Sequence, residues 1–294
     1  MEAAPLLKHQ ADEAAASLPA LLVAAERVAA TVAQGVHGRR RVGQGDSFWQ
    51  FRHYTQGDAR ARIDWRESAK SEHLYVRESE WEAAQSVWIW RDSSPSMDYA
   101  SSAHATKRQR ADLLALALAA LLIRGGERVG LLGSGSAPAS GRAVLDRLAL
   151  LLTRPGTSEG HPPFEPLPRY GQLVLIGDWL TPLEEVHRDV NRFAGRGMRG
   201  HLLQILDPAE ETLPFEGRVR FVGLEEETPI LLSRVETVRD DYAARLHAHR
   251  EGLAAIARGS GWSFALHHTD KPPHLALLAL YGVLAASARR GWER

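Results

Sequence analysis

The sequence of 294 residues contains no cysteine, which excludes disulfide bonds, zinc–thiolate centres and thiol catalysis. It also lacks an excess of charge, with 36 lysine and arginine residues against 36 aspartate and glutamate residues. Without a basic field there is no long-range attraction for nucleic acid, so we expect no nucleic-acid partner. Long hydrophobic runs are absent as well. The longest, Leu113–Ile123, has 11 residues, whereas a membrane-spanning helix needs about 20, so we predict no membrane span.

The first residues do not form a basic stretch followed by an apolar one, so we expect no secretory signal and a cytoplasmic location. The composition is 44% hydrophobic, which is ample for a packed core. The length allows one large domain or two small ones.

Apolar periodicity predicts strands and helices that alternate along most of the chain. The predicted helices cover residues 18–34, 104–124, 142–153, 182–195, 234–258 and 272–288. The predicted strands cover residues 74–78, 87–90, 128–132, 173–176, 201–206 and 262–266, and short strands are possible after Pro214 and Gly217. Residues 35–72 are rich in Gly, Arg and Asp and indicate a polar, loop-rich insertion. This alternation predicts a doubly wound, Rossmann-like α/β fold, with a mostly parallel sheet and helices on both faces. We divide the chain into an N-terminal elaboration, residues 1–80, and an α/β domain, residues 81–294.

The segment Asp92-Ser93-Ser94-Pro95-Ser96 directly follows the apolar run Val87–Trp90. One carboxylate and two hydroxyls at alternate positions can face one hard cation if the turn after the strand curls around it. Such cations prefer oxygen ligands, and Mg²⁺ accepts few protein ligands with several waters.

A second predicted strand ends in Asp178. Ligands of open parallel sheets bind beyond the carboxyl ends of the strands. If the two strands are neighbours, Asp92, Ser94, Ser96 and Asp178 form a site for Mg²⁺, Mn²⁺ or Ca²⁺. Thr157 is the best-placed candidate for a further ligand.

Other interpretations of these residues stay open. Asp92 and Ser94 are also the residue types that cap helices and form turns. Residues 156–160 match the G-x-S-x-G pattern of esterases, but Pro155 precedes the pattern and two prolines follow it, so the strand–turn–helix context is missing. His267 and His268 point to opposite faces of a strand, which disfavours joint metal binding.

Together, D-x-S-x-S and a later strand-terminal aspartate resemble the metal-ion-dependent adhesion site of von Willebrand factor A domains. Upstream, Tyr54 to Lys70 is similar to the signature of the bacterial DUF58 family, R-x-Y-x-x-G-D-x-x-x-R-I-D-W-x-x-S-A, with Arg52 as its first arginine. The segments 74–78, 92–97 and 206–217 follow in the order of that family. Gly177 departs from the pattern, because a serine is common before the strand-terminal aspartate.

The resemblance implies a von Willebrand A-like fold and an association with a MoxR-type AAA+ ATPase. By that likeness the protein is a metal-dependent adaptor between the ATPase and an unidentified client protein. The resemblance also implies that residues of this signature bind a partner, namely Arg52, Gly57, Asp58, Arg60, Asp64, Trp65 and Arg66. The alternatives are a hydrolase or phosphoryl-transfer enzyme that uses the same cation, and a binding module whose metal site is vestigial.

Overall fold

The computed structural model describes residues 21–33, 48–55, 63–71, 73–79, 85–101, 104–153, 160–169, 171–225 and 228–290. The fold divides into two compact units, one formed by residues 36–84 and the other by the rest of the chain. The helix of residues 21–33 (α1) belongs to the larger unit and buries Ala25, Ala29 and Val32 at helical spacing. The sequence-based division at residues 80 and 81 stays a prediction.

The small unit is built on an antiparallel pair of strands, β1 (Phe48–His53) and β2 (Tyr75–Ser79). A single helical turn, α2 (Trp65–Ser68), stands between them in sequence. Both β1 and α2 lie in the segment that the sequence indicates as a loop-rich insertion, and neither element was predicted. The register of β1 shifts between Phe48 and Gln50, and such an irregularity interrupts the two-residue alternation by which a strand is identified. One turn of helix is too short to show a period.

The large unit contains a parallel sheet of five described strands in the order β4-β3-β5-β6-β9. The strands are β3 (Ser86–Arg91), β4 (Arg128–Leu131), β5 (Gln172–Gly177), β6 (Arg199–Leu206) and β9 (Ser263–His268). The helices are α3 (Lys107–Arg124), α4 (Arg142–Leu152), α5 (Leu183–Ala194), α6 (Pro208–Thr212), α7 (Arg239–Gly259) and α8 (Pro273–Arg290). A short antiparallel hairpin, β7 (Val219–Phe221) and β8 (Ile230–Leu232), completes the described strands. The α/β prediction is confirmed.

Helices cover the sheet because its strands are apolar on both faces. One core cluster joins strand residues such as Trp88, Trp90 and Leu175 to α5 and α7. Helix α3, buried along most of its length, contacts the sheet and also α4 and α8. Trp88 and Trp90 are buried core residues of β3.

The chain reverses its direction of travel through the sheet at β3. From β3 it passes to β4 on one side, and then returns past β3 to β5 on the other. This is a topological switch point, where the loops after neighbouring strands part and leave a crevice at the carboxyl edge. Asp92 and Asp178 stand at this point.

Candidate metal site

The turn after β3 is shaped by Asp92. Its backbone N–H donates to the carbonyl of Ile176 at 2.8 Å, which extends the pairing of β3 with β5 by one residue. Its Oδ1 then accepts the backbone N–H of Ser94 at 2.8 Å, so the chain folds back over the carboxylate. Asp92 and Ser94 are both buried, and Ser96 is half-buried on the following 3₁₀ turn, Pro95–Asp98. The D-x-S-x-S segment thus forms a tight turn over the carboxylate of its own first residue.

The two serine hydroxyls of this turn face each other. Ser94 Oγ and Ser96 Oγ are 3.0 Å apart. Adjacent ligands of an octahedral Mg²⁺, with bonds of 2.0–2.1 Å at right angles, are themselves about 3 Å apart. The hydroxyl spacing therefore fits one edge of a magnesium coordination shell.

Gly177 leaves the space that the Asp92 side chain occupies. A Cβ atom at residue 177 would lie 3.1 Å from Asp92 Cβ and 3.3 Å from its Oδ2. The departure from serine at this position thus allows the carboxylate to lie directly against β5.

Asp178 follows β5 and is held by an unusual turn. The next residue, Trp179, has a left-handed backbone with φ of 54°, a conformation that costs a non-glycine residue about 1 kcal/mol or more. Two contacts of Trp179 fix this turn. Its Nε1 donates to the carbonyl of Leu203 at 3.1 Å, and the carbonyl of Trp179 contacts His249 Nε2 at 2.6 Å. The side-chain amide of Gln204 holds the carbonyl of Asp178 at 2.8 Å. Three hydrogen bonds therefore fix the backbone of the turn that carries Asp178.

Lys107, the first residue of α3, completes the site and was missed in the sequence. Its ammonium donates to Asp178 Oδ2 at 2.9 Å and to Glu210 Oε1 at 2.6 Å, and its side chain is 1% exposed. Burial alone would lower the pKa of Lys107, but the negative charges of Asp178 and Glu210 outweigh it and raise the pKa above its ordinary value. The signal available in the sequence was a lysine in the first turn of a helix whose later part, Leu113–Ile123, is apolar.

The electrostatics of this edge favour an added cation. Burial raises the pKa of Asp92; the hydrogen bond from Ser94 opposes the rise, and the charges of Asp178 and Glu225 add to it. Burial also raises the pKa of Glu210, against the effect of Lys107. Among the described residues, the carboxylates of Asp178 and Glu210 share one ammonium, that of Lys107, and these three groups keep a net negative charge.

A second residue missed in the sequence, Arg108, fixes the turn from outside. Its guanidinium donates to the carbonyls of Ser93 and Ser94, each at 3.1 Å, and to Asp98 Oδ2 at 2.7 Å. Because neighbouring helix positions point about 100° apart, Lys107 reaches the carboxylates while Arg108 reaches the backbone of the turn.

A third strand-terminal carboxylate, Asp207 after β6, is fully buried and has a structural role. It accepts hydrogen bonds from the backbone N–H and the hydroxyl of Ser101, and from the backbone N–H of Ala209. It thereby anchors the chain beyond the serine turn and caps α6. In return, Glu210 Oε2 accepts the backbone N–H of Asp207 at 2.8 Å.

Thr157 lies outside the described residues. Gly160, the next described residue after it, is beside the site, since a Cβ atom there would lie 3.9 Å from Ser94 Cβ. In the part of the chain that the structure describes, no three His, Asp or Glu side chains form a metal-binding group. A cation at this edge would therefore depend on the serine oxygens.

The predicted partner-binding residues lie in the small unit. Gly57, Asp58, Arg60 and the side chain of Arg52 are outside the described residues. Asp64 is the N-cap of α2, and its Oδ1 accepts the backbone N–H groups of Arg66 and Glu67. Trp65 is 65% exposed and Arg66 is also exposed. Asp64 thus shapes the turn, while the next two residues present their side chains to solvent.

Comparison with known proteins gives a family match and a relationship to mycobacterial proteins. A family model described as a protein of unknown function, DUF58, matches residues 50–252. Uncharacterized proteins of Mycobacterium bovis and Mycobacterium tuberculosis are each 30% identical over 293 residues, which cover 94% of this chain and 90% of theirs.

Solved structures also resemble the chain, at lower similarity. The conserved hypothetical protein BatB of Bacteroides thetaiotaomicron matches with a TM-score of 0.42 and 16% identity, covering 70% of this chain and 100% of its own. An aerotolerance-related membrane protein of Bacteroides fragilis matches with a TM-score of 0.41 and 18% identity, covering 68% and 98%. Within the described residues of the present chain, no helix is both long and apolar enough to cross a membrane.

Proposed function

This chain belongs to the DUF58 family, and from that premise we propose that it is a metal-ion-dependent protein-binding module rather than an enzyme. Its large unit would be a von Willebrand A-like domain whose adhesion-type site holds Mg²⁺, with Mn²⁺ or Ca²⁺ as substitutes. The partners would be a MoxR-type AAA+ ATPase and a client protein, in the cytoplasm.

One observation carries this proposal. The hydroxyls of Ser94 and Ser96 face each other at 3.0 Å beside the buried Asp92, at the switch point of the sheet. At this spacing the two hydroxyls also form a hydrogen bond with each other, in which either oxygen could be the donor. The same spacing suits two neighbouring oxygens of a hard cation.

The residues present fit a role in binding more than in catalysis. Ser94 and Ser96 would offer neutral oxygens, and Asp92 would offer the one carboxylate that Lys107 does not neutralise. A divalent cation held there would supply an electrophilic position that an acidic side chain of the partner can fill. Asp178, kept in place by Trp179 and Gln204, would act on the cation's bound water.

The proposal is tested by an Asp92→Asn variant, which keeps the shape of the side chain and removes its charge. We expect the wild type to capture the MoxR-type ATPase of the same organism in magnesium buffer and to lose it on addition of EDTA. We expect Asp92→Asn to weaken both Mn²⁺ binding and capture by about 10–100-fold or more, since even outer-shell metal partners have effects of that size. Calorimetry measures the first quantity and a quantitative pull-down the second.

The matched control is Asp146→Asn, because Asp146 is an exposed aspartate on α4. It should behave as the wild type in both measurements. If an Asp92→Ala, Asp178→Ala double variant captures the ATPase as well as the wild type does, binding runs through the segment Gly57–Lys70 and the metal site is vestigial.

A turnover assay separates the module from a Mg²⁺-dependent hydrolase or phosphoryl-transfer enzyme. Purified wild type should leave ester and phosphate substrates intact in magnesium buffer. Turnover that disappears in Asp92→Asn but persists in Asp146→Asn would contradict the binding-module proposal.

A further inference from the structure

Lys107 occupies a position that is electrostatically unfavourable in two respects. Its ammonium is almost fully buried, and burial of an unpaired charge costs several kcal/mol. It is also the first residue of the 18-residue helix α3, where the positive end of the helix dipole disfavours a cation. Among the described residues, the ion pairs that offset these costs are those with Asp178 and Glu210.

The two partners of Lys107 differ in how firmly they are held. Glu210 is fixed, because its Oε2 accepts the backbone N–H of Asp207 and its own carbonyl accepts the hydroxyl of Tyr242 at 2.6 Å. Asp178 has one oxygen on Lys107, while its Oδ1 accepts a backbone N–H only at 3.4 Å. If Asp178 turned toward a cation, Lys107 would keep the ion pair with Glu210 and would not become an unpaired buried charge.

We propose that Lys107 is a built-in counter-ion that competes with the divalent cation for Asp178. In the metal-free state Lys107 is paired with both Asp178 and Glu210. In the metal-bound state Asp178 serves the cation, and Glu210 alone retains the lysine. The lysine thereby lowers the affinity for metal and preserves the fold when metal is absent. This inference rests on the proposed function, since it concerns the same site.

Substitutions can separate the competition of Lys107 for Asp178 from the effect of the total charge of the site on metal affinity. Lys107, Asp178 and Glu210 together carry one negative charge. The double substitution Lys107→Met, Glu210→Gln leaves that total unchanged but frees Asp178 from its ammonium. The single substitution Glu210→Gln instead leaves Lys107 with Asp178 as its only carboxylate partner among the described residues.

The experiment titrates Mn²⁺ into the full-length wild type and the variants by calorimetry. The double variant should bind Mn²⁺ more than about tenfold tighter than the wild type, because two unit charges at these distances interact strongly in a partly buried site. Glu210→Gln should bind more weakly than the wild type. Lys107→Met should bind tightest, and its melting temperature should depend most on Mn²⁺. The control Lys271→Met removes an exposed lysine and should match the wild type.

The outcomes distinguish this inference from the proposed function. Equal Mn²⁺ affinity in the wild type and the double variant overturns the competition and leaves the metal site standing. No Mn²⁺ binding by any variant overturns both. A tenfold gain in the double variant, together with ATPase capture that ignores EDTA, supports the competition and overturns the metal-dependent partner binding.

Discussion

At the scale of single residues, close contacts decide which side chains are tolerated. Gly200 on β6 lies against the indole of Trp262, so a Cβ atom there would lie 2.1 Å from the ring. The ring cannot move away easily, because its Nε1 donates to the carbonyl of Met198 at 3.0 Å. The same principle places the carboxylate of Asp92 against Gly177 at the candidate site.

The variant Gly200→Ala should therefore be destabilised by about 1–3 kcal/mol through overpacking. Gly282 on α8 is the matched control, since nothing lies within 4 Å of a Cβ atom there, and alanine in a helix interior gains up to about 1 kcal/mol over glycine. Urea unfolding of both variants measures the difference. Equal stability of the two would show that β6 and Trp262 can separate at little cost.

At the scale of elements, α3 connects the fold to the candidate site. It begins with a capping box, in which Thr106 Oγ1 accepts the backbone N–H of Gln109 and the Gln109 side chain accepts the N–H of Thr106, each at 3.1 Å. This cap fixes the first turn of the helix, from which Lys107 and Arg108 diverge. The directions of the Lys107 and Arg108 side chains thus depend on the capping box of Thr106 and Gln109, which lies outside the metal site.

Removal of the cap by Thr106→Ala should cost about 1 kcal/mol of unfolding free energy. Thr106→Ser keeps the hydroxyl and should lose much less. Urea denaturation of the two variants compares them directly. A Thr106→Ser protein as unstable as Thr106→Ala would mean that the methyl group, not the cap, stabilises the start of α3.

Long elements with a regular spacing of apolar residues were predicted, whereas short or irregular elements were not. The alternating strands and helices of the large unit were read correctly from periodicity, with ends displaced by a few residues, as for α3, which begins at Lys107 rather than at residue 104. The single-turn helices α2 and α6 and the irregular strand β1 were missed, because they contain too few regular positions to show a pattern. Whether β3 and β5 are neighbours was left open by the sequence; the structure pairs them and brings Asp92 and Asp178 to the same edge of the sheet.

At the scale of the whole molecule, buried histidines link the global stability to pH. His201 on the interior strand β6 is 2% exposed, and burial lowers its pKa to about 4. Burial, together with the charge of Arg110, lowers the pKa of His267 on β9 to about 4 as well. Between these values and the ordinary pKa of 6.5, the unfolded chain binds protons that the folded chain does not. Each histidine therefore removes stability as pH falls through this window.

For His201 this loss amounts to about 3 kcal/mol across the window, at about 1.4 kcal/mol per unit of pKa. Asp112 acts in the opposite direction, since burial raises its pKa to about 6 against the charge of Arg91. The prediction is therefore a difference between variants. From pH 6.5 to about pH 4, His201→Gln should lose less stability than the wild type, whereas His247→Gln, at an exposed position, should follow the wild type. Denaturant unfolding at several pH values measures this, and parallel profiles for His201→Gln and the wild type would contradict it.

The sequence by itself determined the α/β class, the carboxylate and hydroxyls that follow β3, and the second aspartate that follows β5. These depend on local order along the chain: apolar runs make strands, and polar residues directly after them lie at the carboxyl edge of the sheet. Only the tertiary structure decided that Lys107 pairs with Asp178 and Glu210, residues separated from it by 71 and 103 positions. Such a pairing shows no periodic pattern in the sequence, because its members are distant along the chain. They come into contact only when the fold brings their elements together.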